Sequence, residues 1–196
     1  MNAPDKNNGK PDIINGLVLL VDVQNLFYSA RDAYGLAARV DFKKLKQLAM
    51  KNRRFRHIVS FAYLAATMKD VPSEFVSALE KLSYEVKVAN IRAHETGPSS
   101  ATDIDVMLAT DATITRIRDR DPDIVVVASG DSDYVPVYEA LKNRGVRVEI
   151  IAFKSTLSAA IEEMADSVTY LTREHLYNES FSESKGEGWE LKKTQI

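Results

Sequence analysis

Aspartate recurs wherever this chain has the means to do chemistry. Asp22 closes the apolar run Leu17-Val18-Leu19-Leu20-Val21. Asp103 and Asp105 open a helical pattern at Thr102-Asp103-Ile104-Asp105. Asp131 and Asp133 follow a second apolar run, Ile124-Val125-Val126-Val127-Ala128, within Ser129-Gly130-Asp131-Ser132-Asp133. Carboxylates brought within a few ångström repel, and some are forced to take up protons. A divalent cation removes that conflict, and an all-oxygen ligand set suits Mg²⁺ or Mn²⁺ rather than zinc. A centre of that kind hydrolyses phosphodiesters: it activates a water and stabilises charge at phosphorus, with no histidine base required. Other chemistries are excluded. The chain has no cysteine, so a disulfide scaffold, a Cys–zinc site, an iron–sulfur cluster and a cysteine nucleophile are ruled out. His57, His94 and His175 lie too far apart in sequence for an HExxH site.

Whether the acids meet depends on the elements that carry them. Residues 17–21 and 124–128 are continuously apolar, as strands buried on both faces must be. Residues 57–64, 84–89, 146–152 and 168–171 read as further strands. Helical patterns fill 24–35, 41–52, 71–83, 103–118, 134–144 and 156–165, with Asp41, Asp103 and Ser155 at expected N-caps and Gly145 at an expected stop. This alternation predicts an α/β fold, a three-layer Rossmann-like domain with a mostly parallel sheet of about five or six strands. In such a sheet ligands bind at the carboxyl ends of the strands, where the following helices begin. Asp22, Asp105, Asp131 and Asp133 should therefore converge on one edge.

Each residue also has a plainer role open to it. Asp22 could cap the next turn, Asp103 could be an N-cap, and Asp105 could answer the helix dipole. Gly130, Asp131 and Ser132 are ordinary turn formers. Asp111 falls among Ile104, Met107, Leu108 and Ile114 on the inward face of its helix, so it is expected to be structural or to support the site from behind. Asn25 is a candidate to orient Asp22 or bind a phosphate, with an N-cap as the alternative. Ser129 is a candidate substrate contact. Tyr28 and Tyr134 stand near the expected edge and could stack on a base.

The bulk composition is that of a globular domain. Of 196 residues, 45% are hydrophobic and 28% charged, and 26 basic against 28 acidic residues give a net charge of −2. That balance excludes a uniformly basic nucleic-acid binder but leaves room for a basic face. Lys43, Lys44, Lys46, Lys51, Arg53, Arg54 and Arg56 form one basic cluster, and Arg116, Arg118 and Arg120 a second. No apolar stretch reaches membrane-spanning length, and the N-terminus lacks the apolar core of a signal peptide, so the cytoplasm is the expected compartment. Residues 1–15 read as a flexible lead-in, 16–178 as the folded domain and 179–196 as a polar, turn-rich tail carrying Trp189 and Leu191. Edge segments near 84–90 and 168–171 suit pairing with a second copy, which makes a homodimer a candidate assembly.

Three motifs carry a family resemblance. Val21-Asp22-Val23-Gln24-Asn25-Leu26-Phe27, Asp105-Val106-Met107-Leu108-Ala109-Thr110-Asp111 and Ser129-Gly130-Asp131-Ser132-Asp133-Tyr134-Val135-Pro136 resemble the NYN domain, and within it the LabA-like branch of the PIN-like nucleases. The resemblance covers about residues 16–172. It implies a Mg²⁺- or Mn²⁺-dependent ribonuclease, with Asp22, Asp105, Asp131 and Asp133 matching the acidic ligands and Asn25 the polar residue beside the first. Where such proteins often carry Lys-Gly, this chain has Thr102-Asp103, which removes a basic contact and adds a carboxylate. An alternative expectation is therefore a non-catalytic module that keeps the acidic pocket and binds RNA or protein. A nucleotide-binding Rossmann domain is disfavoured, because neither a GxxxxGK[ST] loop nor a GxGxxG after the first strand is present.

Overall fold

The computed structural model describes residues 13–65, 72–89 and 100–177, with Ala65 and residues 100–103 described by their backbone alone. Among these residues are six strands and six α-helices, two of the helices lying between the first two strands. The strands are β1 (Ile13–Asp22), β2 (Arg54–Ala65), β3 (Glu85–Ala89), β4 (Ile124–Ala128), β5 (Arg147–Phe153) and β6 (Ser167–Leu171). The helices are α1 (Val23–Tyr34), α2 (Phe42–Met50), α3 (Ser73–Lys81), α4 (Ser100–Ile114), α5 (Val135–Asn143) and α6 (Ala159–Met164). All strand pairs are parallel, and the sheet order is β3-β2-β1-β4-β5-β6.

That order explains the layers. The chain winds outward from β1 to β3, returns across the sheet through α4, and winds outward the other way to β6. Leu17, Leu19 and Val21 of β1 face a core with α1, α2 and α3, through Leu26, Leu45 and Leu79. Val18 and Leu20 face a second core with α4, α5 and α6, through Leu108, Leu141 and Ile161. Period-2 alternation in one strand thus feeds two cores, and that is why the run is apolar without a break. Winding reverses between β1 and β4, the switch point at which open α/β sheets bind ligands.

The structure moves several sequence-derived boundaries. Asp41 caps α2 as expected, accepting from the backbone N–H groups of Lys43 and Lys44. The helix carrying Asp105 begins at Ser100, so Asp103 lies inside its first turn rather than at its N-cap; the Asp103 side chain is outside the described residues. Ser158, not Ser155, caps α6, its hydroxyl accepting from Ala160 N–H. The 103–118 pattern ends early because Arg118 and Asp119 take positive φ in the turn before β4. Gly145 has φ +79° and turns the chain from α5 into β5.

Candidate active site at the sheet edge

Asp22 is the last residue of β1 and the N-cap of α1. Its side chain points to the α4 face, in line with Val18 and Leu20. Asn25 N–H donates to Asp22 Oδ1 at 2.9 Å, so the capping role and a functional role fall on one carboxylate. Asn25 is therefore not the cap. Its side-chain Oδ1 accepts instead from Gly130 N–H at 3.0 Å, tying α1 to the loop after β4. Gly130 has to be glycine at this junction, since a Cβ would sit 2.6 Å from the Thr156 carbonyl oxygen.

The loop after β4 is self-bracing. Ser129 is fully buried, and its hydroxyl accepts from Asp131 N–H at 3.2 Å. Asp131 Oδ1 in turn accepts from Asp133 N–H at 3.0 Å, starting a short 3-10 turn at Ser132–Tyr134. Ser129 thus sits beneath the loop, Asp131 is half-buried and Asp133 is exposed.

Tyr134 completes the group, and its role is invisible to sequence periodicity. Its ring is buried, and its hydroxyl donates to Asp105 Oδ1 at 2.7 Å while lying 3.3 Å from Asp22 Oδ2. A phenol has one proton, so it cannot donate to both acids at once. Asp22 itself is only 5% exposed. Burial, reinforced by the charges of Asp105 and Asp131, pushes its carboxyl up to about 6. A proton is thus available to Asp22 near neutrality, and the bridge can be satisfied from either side. Burial also raises Asp105, aided by Asp131 and Asp133. Tyr138 contributes a fully buried hydroxyl with no hydrogen-bond partner among the described residues; burial raises it, with Asp131 and Asp22 adding to the shift.

Asp111 belongs to a neighbouring arrangement. Tyr63 hydroxyl and Lys87 Nζ both donate to its Oδ2, at 2.8 and 2.7 Å. Lys87, Tyr63 and Asp22 are register partners across β3, β2 and β1, so one row on the α4 face runs from this ion pair to the acidic edge. Asp111 is neutralised there and packs behind Asp105, two turns along α4.

The four acids Asp22, Asp105, Asp131 and Asp133 thus share one edge. Among the described residues no three Asp, Glu or His side chains come close enough to enclose a metal ion by themselves. The donor set still fits a hard divalent cation, because Mg²⁺ is ordinarily held by one or two carboxylates and completes its shell with water and substrate phosphate. Burial, with the neighbouring acids adding to it, raises two of these carboxyls, and a cation between them would favour their charged forms.

The NYN domain family model matches residues 16–172, spanning all six strands and every acid of the edge. The chain belongs to the NYN domain family. No curated protein matches it. Among solved structures it is similar to a protein of unknown function from Vibrio parahaemolyticus, with a TM-score of 0.68 and 21% identity over 86% of this chain and 99% of that one. At that identity the likeness concerns the fold.

In this NYN domain Arg54 and Arg56 at the start of β2, and Arg116, Arg118 and Arg120 between α4 and β4, lie at the edge away from the acids. Arg54 opens β2 at the opposite, N-terminal edge. Lys44 Nζ is bound to the carbonyls of Glu174 and Leu176, and Lys46 Nζ to those of Leu82 and Ser83. Lys51 and Arg53 pair with Glu149. Arg116 pairs with Asp121 in the turn before β4. Lys44, Lys46, Lys51, Arg53 and Arg116, half of the cations that sequence grouping offers to a phosphate, are thus engaged in holding the fold. Tyr28 is half-exposed on α1, one turn beyond Asn25, and keeps a surface for stacking; Tyr134, being buried, does not. No helix among the described residues is long and apolar enough to cross a membrane.

Proposed function

We propose that this NYN domain is a metal-dependent ribonuclease of the LabA-like kind, acting at the carboxyl edge of β1 and β4. Asp22, Asp105, Asp131 and Asp133 are the residues that would hold Mg²⁺ or Mn²⁺. Bound there, the ion supplies charge neutralisation at the scissile phosphate and lowers the pKa of a water. The chain's own groups do the rest. Asn25 fixes the distance between the two loops, Tyr134 sets the spacing of Asp22 and Asp105, and Ser129 braces the turn that presents Asp131. The observation that carries this reading is the buried Asp22, which has no ion pair among the described residues: an aspartate raised to about 6 by burial beside two further acids is a candidate functional group. Cleavage of labelled single-stranded and structured RNA, with Mg²⁺, Mn²⁺ or EDTA, tests it. Metal-dependent cleavage lost in Asp22→Asn is expected, and cleavage retained in that variant, with contaminating nuclease excluded, overturns it.

One observation favours a second reading, a binding module without turnover. The Tyr134 hydroxyl already engages both Asp22 and Asp105, so their repulsion is partly relieved without an ion. Specific RNA binding with no metal-stimulated cleavage would select that reading. A homodimer through the exposed edges of β3 and β6 also stays a proposal, to be tested by the mass in solution.

A further inference from the structure

On the face away from the acids, an apolar pocket of about 270 Å³ lies between α1 and α3. Leu26 and Phe27 form one wall, Phe75, Ala78 and Leu82 the other, and Tyr177 closes one end. Its position in the chain matters. Tyr177 is the last described residue, half-exposed, and its backbone N–H donates to the Arg39 carbonyl at 3.0 Å. The chain therefore leaves the body at the rim of this pocket. Residues 178–196 follow, and they carry Phe181, Trp189 and Leu191 in an otherwise polar run. Trp189 is the chain's single tryptophan.

Reach and charge both suit a return into the pocket. A chain of the length that separates Tyr177 from Trp189 reaches roughly 20 Å, ample for a pocket that Tyr177 itself lines. The tether also gives the indole an effective concentration on the order of mM without any partner. The rim is cationic: the guanidinium groups of Arg31 and Arg39 both stand over the Phe27 ring, at 4.9 and 5.1 Å. Between Phe181 and Leu191 the tail opposes them with Glu183, Glu187 and Glu190 against a single lysine, Lys185.

We propose that the segment Phe181–Leu191 of this chain docks along the α1–α3 pocket, with the Trp189 indole as its apolar anchor and its glutamates against the Arg31–Arg39 rim. Docking there would clamp the first turn of α1, which carries Asn25 and follows Asp22 directly. It does not depend on the nuclease reading.

The single tryptophan makes the test direct. In the full chain, Trp189 emission is expected at short wavelength and shielded from acrylamide. Ala78→Phe adds bulk to an exposed wall position, and should shift the emission to longer wavelength and raise quenching while circular dichroism stays unchanged. Amide exchange provides a second measurement that does not alter the body: Trp189→Ala should speed exchange in α3 and the first turn of α1. Emission of a water-exposed indole in the native chain overturns the proposal. So does a shielded indole that ignores Ala78→Phe, or shielding that appears only as concentration rises, which would assign the pocket to a second copy. Unchanged α3 exchange in Trp189→Ala overturns it as well.

Discussion

Two buried acids, at opposite edges of the same sheet, are treated in opposite ways. Glu149, on β5 at the N-terminal edge, is 1% exposed. Burial opposes its charge, yet hydrogen bonds from Arg53, Arg147 and Lys51 outweigh that and hold its carboxyl down at about 2. Arg53 engages both of its oxygens, at 2.7 and 2.9 Å. Asp22, at the C-terminal edge, is nearly as buried, but its neighbours are Asp105, Asp131 and a phenol, and its carboxyl rises to about 6. Among the described residues it forms no ion pair. Folding has neutralised the acid that only holds the structure together and has left the other exposed to repulsion. That contrast, more than burial, is what marks Asp22 rather than Glu149 as the candidate functional carboxylate.

The comparison can be broken most violently at Glu149. Glu149→Gln leaves three cations without their counter-charge and should cost roughly 3 kcal/mol, read as a lower midpoint in urea. The pH dependence has a definite sign. A carboxyl whose folded pKa lies below its unfolded value stabilises above the unfolded value, near 4.5, and that contribution is lost as pH falls toward 2. The wild type should therefore converge on Glu149→Gln in strong acid.

Asp22→Asn should act in the reverse direction. Asparagine keeps the N-cap, since Asn and Asp cap about equally well, and removes the charge. A folded pKa near 6 against an ordinary value of 3.8 means that ionised Asp22 weakens the fold, by up to about 3 kcal/mol at ~1.4 kcal/mol per unit. The variant should thus melt higher than wild type at pH 8. The gain should shrink as pH falls through about 6 and vanish below about 4, where wild-type Asp22 is protonated in both states. A gain independent of pH would show that charge is not its cause.

Tyr134→Phe is the subtlest of the three. It keeps the buried ring and deletes the hydroxyl shared by Asp105 and Asp22. The loss of stability should be about 1 kcal/mol. On the nuclease reading, turnover should fall more than substrate affinity, because the spacing of the acids changes while the RNA surface does not. Equal effects on both would make Tyr134 a packing residue only.

Much of this site is legible in the residues themselves. A strand that must be apolar on both faces ends visibly at Asp22 and again at Ser129, so two of the three acidic segments announce their edge. The α/β class follows from the same runs. What stays hidden depends on strand order. That β1 lies beside β4, placing Tyr134 against Asp22, is a long-range fact that local periodicity does not carry. Strand order also decides that Arg54 and Arg56, at the start of β2, stand at the opposite edge. Asp103 misleads for a local reason: an acid ahead of a helical pattern looks like a cap, and the three residues that extend α4 before it, Ser100-Ala101-Thr102, give little periodic signal.

The central claim is that the C-terminal edge holds acids awaiting a cation. Its most direct test is the thermal midpoint titrated with Mn²⁺ and Mg²⁺, for wild type beside Asp22→Asn and with Glu149→Gln as the control at the other edge. An ion that binds only the folded state at 100 times its Kd adds about 2.7 kcal/mol. Wild type and Glu149→Gln should both rise with saturation, and Asp22→Asn should not. A rise of equal size in Asp22→Asn, or none in wild type, would contradict the account.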